Sequence, residues 1–567
     1  MLSAQHEKTP GRAVTLGQQG KRFGADSVDG HREGGAAPRF LDRPQETRPT
    51  RQRLQPGFLP RSARESGSET DPDLQIAHFQ LAYVDILGME FFFAIVFLLV
   101  YYIRPQDWVP GMAGAEIIRP IVALWLFSIV LARSRNSPLI GFLRTPHDVI
   151  ICAYLAYIVF FGGAPVMETV PMLAFYALTV QSLNTWPRLL KYLKIWTLAL
   201  FLISLLGVLS FYGFDPTGAQ ANAFTQIGRL AIGTWLHDNP NALGHSIVVV
   251  IPASFVLYFW KENMAKRFLI FPLFSFIAFY CAWQTQSKGA YLVGASALII
   301  AMILGKPKWL QAIVLSATLI VGVSALSFLP RMSDMNNLRA DEGVQGRLLA
   351  WEMAKTAEEQ DHTGIGWRQF IAYIPWKEGN KTLIVPKGTH SSYIQVAADL
   401  GRYGLFFYLA GIWCAFHTLL FFKTTDPDQE RCRRVLLVFL IANLISGWMI
   451  NRSYHTEYFL LIAASAAMHR LKKGEELPAT APEPAPIPAS ATPAPMTASA
   501  LSALTKLPAS VRAAWERKER PAFSLEKGSS SQLGRPFWNR FGIFDFGLSM
   551  VMTWLTFATW DYVLKNL

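Results

Sequence analysis

The strongest constraint on the fold of this chain is a series of apolar runs that each approach the length of a bilayer crossing. Of the 567 residues, 51% are hydrophobic and only 16% are charged, and the apolar residues gather into blocks near the roughly 20 residues that a membrane-spanning helix needs. These runs lie at 79–103, 117–132, 147–163, 168–184, 192–213, 241–260, 267–284, 290–305, 308–328, 403–422, 434–450 and 456–470. The pattern predicts an all-α polytopic membrane protein with about twelve transmembrane helices.

Lysine and arginine concentrate in alternate short loops, and this distribution predicts the orientation. The loop at 133–144 carries three arginines, whereas 162–169 has no Lys or Arg and 215–240 has only Arg229. Because cytoplasmic loops carry an excess of positive charge, both ends of the apolar region are expected to face the cytoplasm. The long polar segment at 329–402, between the ninth and tenth runs and here called the polar loop, is then expected on the periplasmic side.

The net charge of +13 does not indicate a nucleic-acid partner. The basic residues lie between apolar runs and in the tails, where topology and anionic lipid account for them. The four cysteines are scattered without metal-ligand spacing, so neither a disulfide framework nor a zinc site is expected. The predicted partner at this level is the lipid bilayer.

The composition divides the chain into four parts. Residues 1–75 are polar and rich in arginine, as in a disordered basic cytoplasmic arm. Residues 76–472 form the transmembrane domain, and 473–510 form a Pro/Ala-rich linker that should be extended. Residues 511–567 form a basic segment followed by an aromatic run at 541–562, which is either a thirteenth span or a helix lying in the interface.

The polar loop is the only long polar segment between apolar runs, so any chemistry is expected there. A helix is predicted over 346–355, with Arg347 near its start and Trp351 one turn later on the same face. An arginine beside the exposed N–H groups of a helix N-terminus suits a phosphate or diphosphate. The alternative is that Arg347 pairs with a nearby acid, Asp341 or Glu342.

A second helix is predicted to follow His390. Residues 364–370 are expected to form a glycine-rich turn that enters a short helix, and Ser391 or Ser392 is expected to cap a helix with apolar residues at 393, 396, 397 and 400. The helix dipole would disfavour the imidazolium form of His390 just ahead of this N-terminus. A neutral histidine can accept a proton from a sugar hydroxyl, although an isolated loop histidine is often only structural.

These motifs resemble the signature loop of the O-antigen ligase and polymerase superfamily. The motifs in the polar loop are Gly346-Arg347…Trp351, Gly364-Ile365-Gly366…Phe370 and His390-Ser391…Asp399-Leu400-Gly401. Two further matching points are Asp238-Asn239-Pro240-Asn241 and Ser287-Lys288-Gly289-Ala290. The resemblance covers about residues 239–408, and Arg104-Pro105-Gln106-Asp107-Trp108 also resembles a subgroup of O-glycosylation ligases associated with exosortase systems.

The resemblance implies a multi-span enzyme of the bacterial inner membrane that transfers glycans from undecaprenyl diphosphate carriers. By position, His390 and Arg347 would be the catalytic residues. Arg229, Lys288, Asn241 and Trp351 would bind substrate. Many members have Ser-Arg-Gly where this chain has Lys288 after serine, so the charge is kept but the bidentate fork is lost.

The implied chemistry needs no metal and no cofactor. When an acceptor hydroxyl or amide attacks the anomeric carbon, negative charge grows on the departing diphosphate, and fixed cations lower the barrier. No clustered acids or histidines of a divalent-ion site lie in the segments predicted to face the periplasm. The partners would be the carrier-linked glycan donor and a glycan, lipid or protein acceptor.

Several functions stay open at this level. A polysaccharide polymerase of the same superfamily would use another carrier-linked glycan as its acceptor, and the loop motifs do not separate it from a ligase. A transporter would need ionisable residues or broken helices within the spans. Of these only His245 and His417 stand out, and both are expected to make interhelical hydrogen bonds. A third alternative is a non-catalytic assembly scaffold, which would leave the basic and imidazole groups of the loop unexplained.

Overall fold

The computed structural model describes residues 88–112, 114–133, 143, 145–218, 228–326, 342–378, 381–476, 538 and 540–566. The predicted arm at 1–75, nearly all of the predicted linker at 473–510, most of the basic segment that follows it and residues 329–341 of the polar loop lie outside these ranges. The helix before the linker runs to Glu476, a little beyond the predicted boundary at 472.

The described residues are mostly helical. The helices before the polar loop are α1 (Met89–Ile103), α2 (Pro105–Trp108), α3 (Ile118–Arg133), α4 (Pro146–Phe160), α5 (Val166–Ser182), α6 (Trp186–Phe211), α7 (Pro240–Ile247), α8 (Val250–Ser254), α9 (Phe271–Thr285), α10 (Lys288–Ile303) and α11 (Lys308–Leu326). Two π-helical segments, Phe255–Phe259 and Lys266–Ile270, lie between α8 and α9. The polar loop contains α12 (Glu342–Gln360), β1 (Ala372–Glu378) and β2 (Lys381–Lys387). The last helices are α13 (Ser392–Phe421), α14 (Pro427–Ser446), α15 (Thr456–Glu476) and α16 (Ile543–Asn566).

Helix length and composition agree with a multi-pass membrane protein. Six described helical stretches are long and apolar enough to cross a bilayer, and they are Met89–Trp108, Trp186–Phe211, Pro240–Phe259, Lys266–Thr285, Ser392–Phe421 and Ile543–Asn566. Three shorter apolar helices accompany them. The mostly helical membrane fold is therefore confirmed, and the count of about twelve spans stays a prediction.

Helix α13 joins two elements that the sequence separates. It contains both the helix predicted after His390 and the predicted span at 403–422, and its backbone breaks at Gly401, where φ is 65° and ψ is −171°. A Cβ atom at Gly401 would clash with the carbonyl oxygen of His362. The glycine thus lets the polar loop pack against α13 at the point where the capped helix meets the span.

The polar loop also contains an antiparallel hairpin that the sequence did not predict. Strands β1 and β2 pair in a register that runs from Ala372 opposite Lys387 to Glu378 opposite Lys381. Strand β1 is short, and among its residues whose side chains are described, Ala372 and Ile374 are buried while Tyr373 between them is exposed. A single alternating stretch of this kind is a weak strand signal beside helical segments.

The loop helix α12 packs against the first part of α13. Ala350 and Ala354 are fully buried, and small side chains at these positions let the two helices approach closely. The side chain of Ile374 in β1 and that of Lys387 in β2 both lie near Gly346 in the second turn of α12. The hairpin therefore covers the first turns of α12 and ends three residues before His390.

Candidate functional site

His390 lies between strand β2 and the N-terminus of α13, in a backbone conformation that few side chains adopt. Its φ angle is 51°, in the left-handed region that is uncommon for residues other than glycine. Ser391 caps α13 by accepting the N–H of Ile394, which confirms the predicted cap. A strained backbone conformation at a loop histidine is typical of functional sites.

Two cations act on His390. Burial, the Arg347 guanidinium and the Lys387 ammonium together lower the pKa of His390 from 6.5 to about 4. The imidazole is therefore neutral at ordinary pH, and the causes are burial and the neighbouring cations, whereas the sequence predicted an effect of the helix dipole. Lys387 was not among the predicted site residues; the hairpin places its ammonium near Gly346, the residue before Arg347.

Trp351 connects α12 to the segment that carries His390. Its indole N–H donates a 2.7 Å hydrogen bond to the carbonyl oxygen of Thr389. The indole ring also lies 6.2 Å from the ring of Trp448. Trp351 therefore holds the His390 segment in place through a backbone contact, and its predicted contact with substrate stays a prediction.

The residues after His390 are fixed to the turn that follows α14. The Ser391 hydroxyl and the Ser392 backbone N–H both donate to the carbonyl oxygen of Gly447, at 3.1 and 2.7 Å. The Ser392 hydroxyl donates to Ile450 at 2.9 Å, and the Tyr393 hydroxyl donates to Leu444 at 2.6 Å. All of these acceptors are backbone carbonyls, so the start of α13 has one position relative to α14.

Asp399 joins the Gly364 to Phe370 motif to the end of the His390 motif in the structure. Its carboxylate accepts the backbone N–H of Phe370 at 2.8 Å, the Gln395 amide at 3.1 Å and the Tyr454 hydroxyl at 3.0 Å. A Cβ atom at Gly364, whose φ is 86°, would clash with the backbone carbonyl of Asp399. The motif is a structural junction, and its turn enters strand β1, so the short helix predicted there is wrong.

The prediction for Arg347 also needs a correction. Helix α12 begins at Glu342, so Arg347 lies more than one turn inside the helix. The backbone N–H groups that lack partners belong to the first turn only. Arg347 therefore does not combine its charge with a helix N-terminus, and its contribution is that of a fixed guanidinium beside His390.

The structure brings two of the predicted substrate-binding residues into direct contact. Arg229 donates a 2.7 Å hydrogen bond to the side-chain oxygen of Asn241, and its Nε donates to the carbonyl oxygen of Thr285 at 2.9 Å. Lys288 is the first residue of α10, which follows Thr285 after a short turn capped by Ser287. The predicted residues Arg229, Asn241 and Lys288 thus share one corner of the fold.

His245 lies between this corner and His390. A Cβ atom at Gly289, next to Lys288, would approach its Nε2 at 2.8 Å. Its Nδ1 is 2.9 Å from the Ser446 hydroxyl, which confirms the expected interhelical hydrogen bond. His245 therefore joins the corner that carries Lys288 to the end of α14, next to the Gly447 carbonyl that binds Ser391 and Ser392.

A small, mostly apolar cavity of about 70 Å³ lies beside Ser392 and His245. Arg452 and Glu457 line it and form a 2.8 Å ion pair, and Arg452 also donates to the Ser246 hydroxyl at 2.8 Å. This volume is far below the roughly 300–1,000 Å³ of ligand pockets. The cavity is therefore too small for a sugar, and the Arg452 side chain is held by Glu457 and Ser246 at its wall.

The motif that starts at Arg104 contacts the loop before α7. Arg104 forms an ion pair with Asp107, which also accepts the backbone N–H of Trp235 at 2.8 Å. The Trp235 ring stacks on His455 at 5.2 Å, and burial and Arg452 lower the pKa of His455 to about 4. The motif thus anchors the loop that leads from Arg229 into α7.

Comparison with known proteins identifies the central part of the chain. Residues 273–409 match a family model described as O-Antigen ligase, which confirms the resemblance to the O-antigen ligase superfamily. The match covers about a quarter of the chain and includes Lys288, Arg347 and His390, but not Arg229 and Asn241. The comparison does not resolve the exosortase-associated subgroup. No curated protein matches the chain at a significant level.

Proposed function

We propose that this multi-pass membrane protein, whose residues 273–409 belong to the O-antigen ligase superfamily, transfers a glycan from a lipid-diphosphate carrier to an acceptor. The carrier is expected to be undecaprenyl diphosphate, and the polar loop is expected to face the periplasm across the inner membrane. One observation carries the proposal. The neutral imidazole of His390 lies beside two fixed cations, Arg347 and Lys387, within the matched segment.

The cations are proposed to bind the diphosphate of the donor. Arg347 and Lys387 would contact it from the side of His390, and Lys288 and Arg229 from the side of His245. In the transfer step the acceptor oxygen forms a bond to the anomeric carbon while the bond from that carbon to the phosphate oxygen breaks. Charge then grows on the leaving diphosphate, and cations held in place by the fold stabilise it without reorganising.

His390 is proposed to take the proton of the acceptor hydroxyl. A pKa of about 4 keeps the imidazole neutral but makes it a weak base. Binding of the diphosphate would offset the positive charges of Arg347 and Lys387, and a nearby anion raises the pKa of a histidine. The donor would therefore raise the basicity of His390 at the moment when the acceptor needs a base.

The test is glycan transfer by purified protein in lipid nanodiscs with a defined carrier-linked donor. His390→Ala, Arg347→Ala and Lys387→Ala are each expected to lower kcat by about 100-fold or more, the range for lost acid–base or electrostatic groups. His362→Ala is the matched histidine control, because His362 is in the same loop and its side chain is 52% exposed. Arg119→Ala, whose side chain is 80% exposed, is the matched cation control.

The products also separate the two enzyme classes. A ligase would join the glycan to a lipid, a protein or another non-carrier acceptor, whereas a polymerase would lengthen the glycan on its carrier. If His390→Ala and Arg347→Ala keep the activity of the two control variants, the site assignment is wrong. Movement of intact donor across the bilayer without any transfer would favour a transporter instead.

A further inference from the structure

The C-terminal helix α16 lies outside the segment that matches the O-antigen ligase family. Its 24 residues span roughly 36 Å at about 1.5 Å per residue, which exceeds the roughly 30 Å of a bilayer core. The helix packs along α13, and the rings of Phe546 and Phe406 are 5.1 Å apart. It therefore runs beside the helix that begins two residues after His390.

The N-terminal end of α16 is held by a single buried carboxylate. Asp545, whose side chain is 4% exposed, accepts hydrogen bonds from Trp413 at 3.0 Å, His417 at 2.7 Å and Trp538 at 2.9 Å. The Trp538 ring also stacks on His417 at 4.1 Å. Because a buried carboxylate is costly without such donors, this contact fixes the start of α16 near the end of α13.

The other end of α16 contacts the polar loop. Lys355 of α12 forms a 3.1 Å ion pair with Asp561. The same ammonium lies 5.0 Å from the ring of Phe557 and 5.4 Å from that of Trp560, which is fully buried. A cation that meets a carboxylate and two aromatic rings makes a stronger contact than an exposed ion pair.

The two anchors are far apart along the helix axis. Residues 545 and 561 are separated by roughly 24 Å of helix, and residues 401 and 417 of α13 by the same distance. The N-terminal end of α13 lies at the polar loop, and the N-terminal end of α16 is held near the C-terminal end of α13. Helix α16 therefore runs antiparallel to α13, and its C-terminal end reaches the polar loop. This geometry suits a bilayer crossing and does not suit a helix that lies flat in the interface.

We propose that α16 crosses the membrane and positions the loop helix α12 through the Lys355–Asp561 pair. Trp351 is one helical turn before Lys355 on the same face, and Trp351 holds Thr389 next to His390. Lys355 and Asp561 are thus positioning residues for the site rather than part of it. This role rests on the proposed transfer function, whereas the crossing of the bilayer does not.

The crossing is tested first, in the full chain and without measuring transfer. A cysteine replacing Lys565 is expected to react with a membrane-impermeant maleimide from the same side as a cysteine replacing Tyr373 in the exposed part of the hairpin, and a cysteine replacing the exposed Arg540 before α16 from the opposite side. A short bismaleimide should link Lys355→Cys to Asp561→Cys within one chain. Labelling of residues 540 and 565 from one side, or of residue 565 only from the side opposite to residue 373, would overturn the proposal.

The positioning role is tested by exchanging the charges. Asp561→Lys is expected to lower kcat for transfer about fivefold with KM for the donor unchanged, and Lys355→Asp combined with Asp561→Lys should restore it to within about twofold. Lys565→Glu at the exposed end of α16 is the matched control and should behave as wild type. Equal activity of wild type, Asp561→Lys and the double variant would overturn the positioning role.

The two proposals fail in different ways. If His390→Ala retains transfer, the proposed site is wrong, but the cross-link and the charge exchange still report on α16. If His390→Ala abolishes transfer while Asp561→Lys does not change it, the enzyme is assigned correctly and the positioning role is not.

Discussion

The indole N–H of Trp351 and the backbone carbonyl of Thr389, 38 residues apart in sequence, are joined by a 2.7 Å hydrogen bond. The bond links helix α12, which carries Arg347, to the residue directly before His390. Thr389 is fully buried, so its carbonyl has no ready replacement for this donor. The relative position of guanidinium and imidazole therefore depends on a side chain that need not contact substrate.

Trp351→Phe tests this dependence. Phenylalanine keeps the ring but removes the donor, and a small displacement of a catalytic group is costly, so we expect kcat to fall about tenfold. The measurement is transfer at matched amounts of folded protein. Trp309→Phe is the control, because Trp309 is 65% exposed on α11. Identical kcat values for the two variants would show that the hydrogen bond does not position the site.

The depressed pKa of His390 gives a specific pH dependence. Its pKa is about 4 in the folded protein, below its ordinary value of 6.5, so the neutral form persists as the pH falls from 7 to about 5. The kcat/KM for transfer, which reports the free enzyme, should stay level over this interval and fall near pH 4. Because bound diphosphate raises the pKa, the acid limb of kcat should lie at higher pH than that of kcat/KM.

Lys387→Met tests whether this pH dependence comes from His390. Loss of one repelling cation should raise the pKa of His390 and shift the acid limb of kcat/KM to higher pH. A midpoint near 6.5 in the unmodified enzyme would mean that the essential group is not His390 in this environment.

Sequence reasoning found the elements whose signal is local. The Ser391 cap and the apolar face of the following helix depend on neighbouring residues, and so does the placement of His390 at that helix start. The contribution of Lys387 was missed because it depends on the pairing of two short strands. Contacts such as Asp399 with Phe370 join distant parts of the chain, which no local pattern specifies.

The hydrogen bond between Arg229 and Asn241 predicts that the two residues act as one unit. Arg229→Lys loses the fork that reaches both Asn241 and Thr285, and Asn241→Ala removes the acceptor. If the pair binds the donor diphosphate, each variant should raise KM for the donor. The increase in KM in the double variant should be about fivefold smaller than the product of the increases in the two single variants. Strictly multiplicative effects, or an unchanged KM in both variants, would place the pair outside the donor site.

Metal independence stays a prediction, and it is directly testable. The described residues contain no group of three or more His, Cys, Asp or Glu side chains that could hold a metal ion, and the proposed mechanism assigns charge stabilisation to fixed cations. Purified protein in nanodiscs should keep its transfer rate in excess EDTA. A loss of activity that Mg²⁺ or Mn²⁺ restores would require a divalent ion in the donor complex, as in many other phosphate-handling enzymes.

The break at Gly401 makes the last prediction one of stability. At φ 65° any side chain is strained, and a Cβ atom would also meet the carbonyl oxygen of His362. Gly401→Ala should therefore lower the midpoint of thermal unfolding in detergent, at a cost of about 2 kcal/mol or more. Gly388→Ala is the matched control, because its Cβ would meet no atom within 4 Å. If the two alanine variants unfold at the same temperature, the polar loop does not pack against α13 at this glycine, and the position of His390 must be held by Trp351 and the turn after α14.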